Sequence, residues 1–225
     1  MTATVLRRTT FVLLGVFTLA TIYVHEGWVL KPADPEWAHI APFHWWLIPH
    51  VATGIVAFLI APLQFSATIR RRSLTLHRWL GRIYVFATLI ASGAALYIGL
   101  IHEDAANKAV MSAMAALWLL TTFFAWFAAR RGELQQHRLW VMRSYGLTLT
   151  FVTTRFIPDV VIPGLDYFNT TALYWCFVVG SLLIPDLIVN GSAVLPWRRR
   201  AQNPESVGAV EKTRTSTPRG ATTSR

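Results

Sequence analysis

The chain has 225 residues, enough for one or two domains; 54% are hydrophobic but only 14% charged, and the formal net charge is +10. Soluble domains carry roughly a quarter charged residues, and a nucleic-acid module spreads its basic residues over a polar surface. Here the basic residues fall in short bursts between long apolar runs, which excludes nucleic acid as a partner and points to the lipid bilayer.

A helix needs about 20 mostly apolar residues to cross the hydrocarbon core. Six segments qualify, at 9–30, 45–69, 79–101, 109–129, 139–162 and 171–189. They predict an all-α polytopic membrane protein with six transmembrane helices over residues 1–197. The first segment follows Arg7 and Arg8 as a secretory signal would. Its apolar run continues past His25 and Glu26 into Trp28, Val29 and Leu30 with no convincing small-x-small cleavage site, so a retained helix is expected. After Trp197 the chain turns polar behind Arg198, Arg199 and Arg200, and 198–225 reads as a disordered basic tail. Cys176 is the only cysteine, so neither an internal disulfide nor a thiolate cluster can form.

Lys and Arg in short loops stay on the cytoplasmic side. Eighteen of the 21 basic residues fall on one side of the six segments, leaving Lys31, Lys108 and Arg155 on the other. Both termini are therefore expected to be cytoplasmic.

The most specific signal is a repeat. Arg70, Arg71, Leu74, His77 and Arg78 recur sixty residues on as Arg130, Arg131, Leu134, His137 and Arg138, and Trp79, Arg82 and Tyr84 recur as Trp140, Arg143 and Tyr145. Both copies fall in the cytoplasmic turn of a helical hairpin, formed by segments two and three and by segments four and five. The hairpins are predicted to be a parallel repeat about an axis along the membrane normal. His77 and His137 are the candidate cofactor ligands. Two neutral imidazoles on neighbouring helices could hold a haem b iron axially, with Arg82 and Arg143 as contacts to its propionates. A divalent metal is the alternative, or an anionic lipid head. Arg82 and Arg143 lie a turn inside their helices, where an unpaired charge costs ~2.5 to 3.5 kcal/mol. Asp186 near the end of segment six is expected to pair with one of them.

On the outer side, His50 lies inside segment two, below Trp45 and Trp46. Its expected partners in an outer metal site are His25 and His102, while His39 and His44 are expected to be dispensable. His50 and His77 are 27 positions apart, about 40 Å along a helix at ~1.5 Å per residue, too far to share one cofactor. Arg155 and Asp159, four apart, are expected to form a local ion pair. Gln64, Ser66, Thr121, Thr122, Ser144, Thr148, Thr150, Thr153 and Thr154 place polar groups inside the segments. Such groups usually bond across helices or back to their own carbonyls.

His50 with Gly54, then Pro62-Leu63-Gln64-Phe65, then the block from His77 to Tyr84 and the block from His137 to Tyr145 with Thr154-Arg155, resemble the bacterial membrane proteins grouped as domain of unknown function 2306. The likeness covers about residues 45–165. It implies a multi-pass inner-membrane protein and adds no reaction. There is also a likeness to six-helix cytochromes of the b561 type, whose paired histidines hold two haems; His77 and His137 imitate one pair, but 109–129 has no histidine to match His50. Three functions follow as expectations. The first is a haem- or metal-binding redox or accessory protein. The second is a small-solute or lipid-interacting carrier built around Gln64, Thr121 and Thr148. The third is a scaffold for membrane-protein partners or for self-association. No phosphate loop, nucleophile elbow or zinc-protease signature occurs, so an enzyme is not the favoured reading.

Overall fold

The computed structural model describes residues 37–156 and 167–190 and a few positions between 15 and 23, with side-chain surroundings given through 150, at 153 and 154, and from 171 on. The expected first helix, His25, the Arg155–Asp159 pair and the tail lie outside these described parts. Among the described residues there are seven helices and no strand. They are α1 (Trp37–Ile40), α2 (His44–Gln64), α3 (Ala67–Arg72), α4 (Leu74–Ile101), α5 (Ala105–Arg131), α6 (Leu134–Phe156) and α7 (Tyr167–Val189).

Four helices are long and apolar enough to cross a membrane: α2, α4, α5 and the stretch Thr171–Val189 of α7. At ~1.5 Å per residue the 28 residues of α4 reach about 42 Å, more than the ~30 Å hydrocarbon core. The 23 residues of α6 give sufficient length, but Gln135, Gln136, His137, Arg138 and Arg143 make it more polar.

The helix boundaries follow local chemistry. Ser66 caps α3, accepting from the Ile69 N–H at 3.3 Å, and Ser73 caps α4, accepting from Leu76 at 3.2 Å. Asp104 caps α5 by accepting from Ala106 at 3.1 Å and Asn107 at 3.0 Å. At the far end of α5, Gly132 takes φ 75°, a left-handed conformation that a β-carbon disfavours, and the next residue opens α6 within a turn. One expectation needs correction. The apolar segment 45–69 is not one continuous helix, because α2 stops at Gln64. Pro62 lies in its last turn, and Ser66 leaves helical geometry at φ −68°, ψ 108° before α3 begins.

The chain divides into two compact units, Met1–Leu183 and Ile184–Arg225. Within the first, α2 packs on α4, α4 on α5, α5 on α6, and α6 touches α2 again. Small residues line these contacts, among them Ala57, Ala61, Ala87, Ala91, Ala115 and Ala125. At Gly99 an added β-carbon would lie 3.1 Å from the backbone nitrogen of Ser112, so α4 and α5 approach too closely for a side chain there. The interior also holds the buried hydroxyls of Thr88, Ser92, Thr121, Thr122, Ser144, Thr148, Thr150 and Thr154, while Phe86, Leu100, Phe123 and Leu183 are exposed. Hydroxyls inside and large apolar groups outside suit a lipid solvent rather than water.

Candidate functional site

His50 and Gly54, four residues apart on α2, share one helix face. That face borders a cavity of about 370 Å³ inside the first unit. It extends from Glu103 and Asn107, at the ends of α4 and α5, to Phe58, Trp118 and Thr148 near mid-helix. Between these levels the walls are apolar, supplied by Ile55, Ile98, Met111, Met114 and Leu147. The opening of this space is legible at Gly54, where a β-carbon would meet nothing within 4 Å. No Lys or Arg lines the cavity among the described residues, and Glu103 brings its one formal charge.

The polar groups around the cavity are individually constrained. The His50 ring bonds the Ala91 carbonyl through Nδ1 at 2.8 Å. A carbonyl only accepts, so the ring carries a proton on Nδ1. Thr148 donates its hydroxyl to the Ser144 carbonyl at 3.0 Å. Beneath it, Ser144 Oγ lies 2.7 Å from both Tyr84 Oη and Thr122 Oγ1, tying α4, α5 and α6 together. Trp118 differs from these groups. Its side chain is 8% exposed, and its Nε1–H is buried without an acceptor.

At the opposite, arginine-rich end the two motif copies come together. His77 and His137 both occupy the first turn of their helices, with backbone N–H bonds to Ser73 and Glu133 respectively. The copies meet at the Tyr84 and Ser144 hydroxyls, 2.7 Å apart, and each carries its histidine in the first turn of its helix. Their settings differ. His137 donates from Nδ1 to the Ala125 carbonyl at 2.8 Å, the kind of bond that orients a ligating histidine. The His77 Nδ1 is buried with no partner, so the two rings are not held alike.

Arg82 and Arg143 share one arrangement. Each guanidinium lies over the tryptophan three residues before it, Arg82 over Trp79 at 5.1 Å and Arg143 over Trp140 at 4.4 Å. Arg143 also donates from Nε to the Leu182 carbonyl at 3.2 Å. A cation stacked on an interfacial indole is stabilised there.

The other expected residues scatter. His102 ends α4 with its Nε2 buried and unpartnered, packed against the Phe43 ring at 4.8 Å. Among the described residues no three His, Cys, Asp or Glu side chains converge on a metal position. Asp186 belongs to the second unit, where Asn190 Nδ2 donates to its carboxylate at 3.5 Å. Gln64 donates to the His77 carbonyl at 3.3 Å, and Thr121 returns its hydroxyl to the Leu117 carbonyl at 2.8 Å, so neither lines the cavity.

Trp118, Met111, Met114 and Gly99 were not singled out by sequence. A signal existed for one of them. Interfacial tryptophans sit near helix ends, whereas Trp118 is the fourteenth of the 27 residues of α5.

A family model described as a predicted membrane protein (DUF2306) matches residues 47–189. No curated protein and no solved structure matches the chain.

Proposed function

The chain belongs to the DUF2306 family of predicted membrane proteins, and we propose that it serves there as a binding protein for small amphipathic molecules, held in the cavity between α2, α4, α5 and α6. This is the carrier-type reading of the sequence, moved from Gln64 and Thr121 to the space around Gly54 and Trp118. One observation supports it above all: apolar walls enclosing about 370 Å³ that end on polar groups at both levels. Sites for small molecules have this composition, mostly apolar with a few placed polar groups.

In the same proposal the chain crosses a bacterial inner membrane six times, with 9–30 as the first helix and the two hairpins as a parallel repeat. The arginine-rich end and both termini are cytoplasmic, and the cavity faces the outer half. The charge distribution supports this orientation.

Benzophenone, a neutral aryl ketone whose excited carbonyl inserts preferentially beside methionine sulfur, is a direct probe. Photolysis of the purified full chain in lipid nanodiscs is expected to label Met111 and Met114. Gly54→Met, which fills the open space without meeting a neighbour at its β-carbon, should suppress that labelling by tenfold or more. Equal labelling in both proteins, or labelling confined to lipid-facing residues, would overturn the reading. A reduced-minus-oxidised spectrum with a Soret band, lost in His77→Ala and His137→Ala, would instead restore the haem expectation.

A further inference from the structure

The two arginine-rich turns lie at one level of the first unit. Turns of three and two residues join α4, α5 and α6, which pack in series, so α4 and α6 run the same way. Tyr84 is the eleventh residue of α4 and Ser144 the eleventh of α6, and their hydroxyls meet at 2.7 Å. Both helices therefore begin about 15 Å from that contact and on the same side of it, at ~1.5 Å per residue. Because α2, α4 and α5 are long and apolar enough to span a bilayer, these turns fall at its surface. None of their arginines borders the cavity, so any site here is a second one.

Over 70–82 and 130–143 the chain carries nine arginines, no lysine and one acid, Glu133. Lysine serves topology as well as arginine does, so orientation does not account for the choice. Arginine alone presents a planar fork that meets phosphate oxygens two at a time. Three of these guanidiniums are held against rings: Arg82 over Trp79 at 5.1 Å, Arg130 over Trp126 at 5.9 Å and Arg131 over Phe127 at 4.4 Å. All three arginines are exposed, as are the rings beneath them, and among the described residues no carboxylate pairs with them. A ring covers one face of the guanidinium and leaves its N–H edge for an acceptor. Exposed indoles near helix ends sit at the headgroup level, where lipid phosphates lie.

We propose that this end is a binding surface for anionic phospholipid headgroups, with Arg82, Arg130 and Arg131 holding their phosphates by bidentate contacts and the exposed arginines of α3 adding diffuse attraction. A zwitterionic head brings an ammonium beside its phosphate, which nine cations against one acid repel. The surface therefore selects lipids of net negative charge.

The test reads lipid selection directly. The purified full chain is reconstituted in phosphatidylcholine bilayers with a trace of spin-labelled phosphatidylglycerol or spin-labelled phosphatidylcholine, and the motionally restricted fraction of each label gives their relative association. At about 0.1 M salt the anionic lipid is expected to associate about threefold more strongly, short of the roughly fivefold of one surface cation because the label averages over every boundary position. At about 1 M salt, where the screening length falls to ~3 Å, about twofold should remain, since bidentate contacts lie within that length. Arg82→Lys, Arg130→Lys and Arg131→Lys combined keep every charge; they should abolish the high-salt preference and leave the low-salt one. Lys108→Gln, near the start of α5, should change neither. Parity of the two lipids on the wild-type protein at low salt overturns the surface. A wild-type preference that vanishes at high salt, or one that survives there in the triple variant, overturns the bidentate role, and the wild-type series decides even if the variant fails to fold. Inorganic phosphate in place of chloride at equal ionic strength should leave the preference intact; its loss would mean a site for free phosphate and overturn the lipid assignment.

Discussion

The α2–α4 hairpin and the α5–α6 hairpin carry the same turn motif sixty residues apart, yet they use it differently. What they share is anchoring: Arg82 on Trp79 and Arg143 on Trp140 repeat the same stack. What separates them is the partner each motif residue finds on another helix. His137 meets the Ala125 carbonyl because α5 runs unbroken to Arg131. The position sixty before Ala125 is Phe65, beyond the end of α2, and the His77 Nδ1 has no acceptor. Tyr84 reaches Ser144, whereas the Tyr145 hydroxyl is buried without a partner beside the Phe58 and Phe65 rings. Gly54 leaves space where its counterpart Met114 fills it, and both border the cavity. Repetition of sequence therefore repeats the membrane anchors but not the hydrogen bonds, since those depend on backbone outside the motif.

Making the hairpins alike is the sharpest way to break this contrast. Gly54→Met, which copies the second hairpin into the first, carries the largest expected effect, a tenfold or greater loss of benzophenone labelling. Because Gly is ~1 kcal/mol less helix-favouring than ordinary residues, the same variant should unfold no more easily than wild type in thermal denaturation, so loss of binding without loss of stability is the expected signature.

The tyrosines come next. Tyr84→Phe removes the hydroxyl that joins α4 to α6 at Ser144, with a second contact to Thr148 at 3.4 Å, and should cost about 1 to 2 kcal/mol. Tyr145→Phe removes a buried hydroxyl with no partner and should be neutral or slightly stabilising. Unfolding in mixed micelles measures both, and equal destabilisation would deny the asymmetry. For the histidines, His137→Ala should cost about 0.5 to 1.5 kcal/mol for its bond to Ala125, while His77→Ala costs less. The smallest effect is expected at the stacked arginines. Lysine in place of Arg82 should lose about 0.5 kcal/mol of stacking. The same change at Arg143 should lose more, because its Nε also serves the Leu182 carbonyl. Equal losses at the two would mean that stacking alone holds them.

Much of the architecture was legible in the chain. Segments 79–101, 109–129 and 171–189 all fall inside observed helices, because hydropathy over some twenty residues is a local sum that neighbours do not alter. The break after Gln64 was harder to read. Pro62 is tolerated inside many membrane helices, and Ser66 acts as a cap only once the chain has left the helix. The equivalence of His77 and His137 in sequence was legible from the repeat, but the difference in their hydrogen bonding was not. The return of Thr121, Thr150 and Thr153 hydroxyls to their own helix carbonyls followed from helix geometry alone.

The sequence by itself determined that this is a helical membrane protein, where most of its long helices run, and that its arginines cluster in the turns that join the helices of each hairpin. Those properties come from composition along one segment at a time. Only the tertiary structure decided that His50, Gly54, Met114 and Trp118 border one cavity, and that the Trp118 N–H and the His77 Nδ1 lack partners. An acceptor for either must come from a carbonyl or side chain on another helix, and whether one lies within ~3 Å depends on where that helix breaks and how closely small residues let it approach.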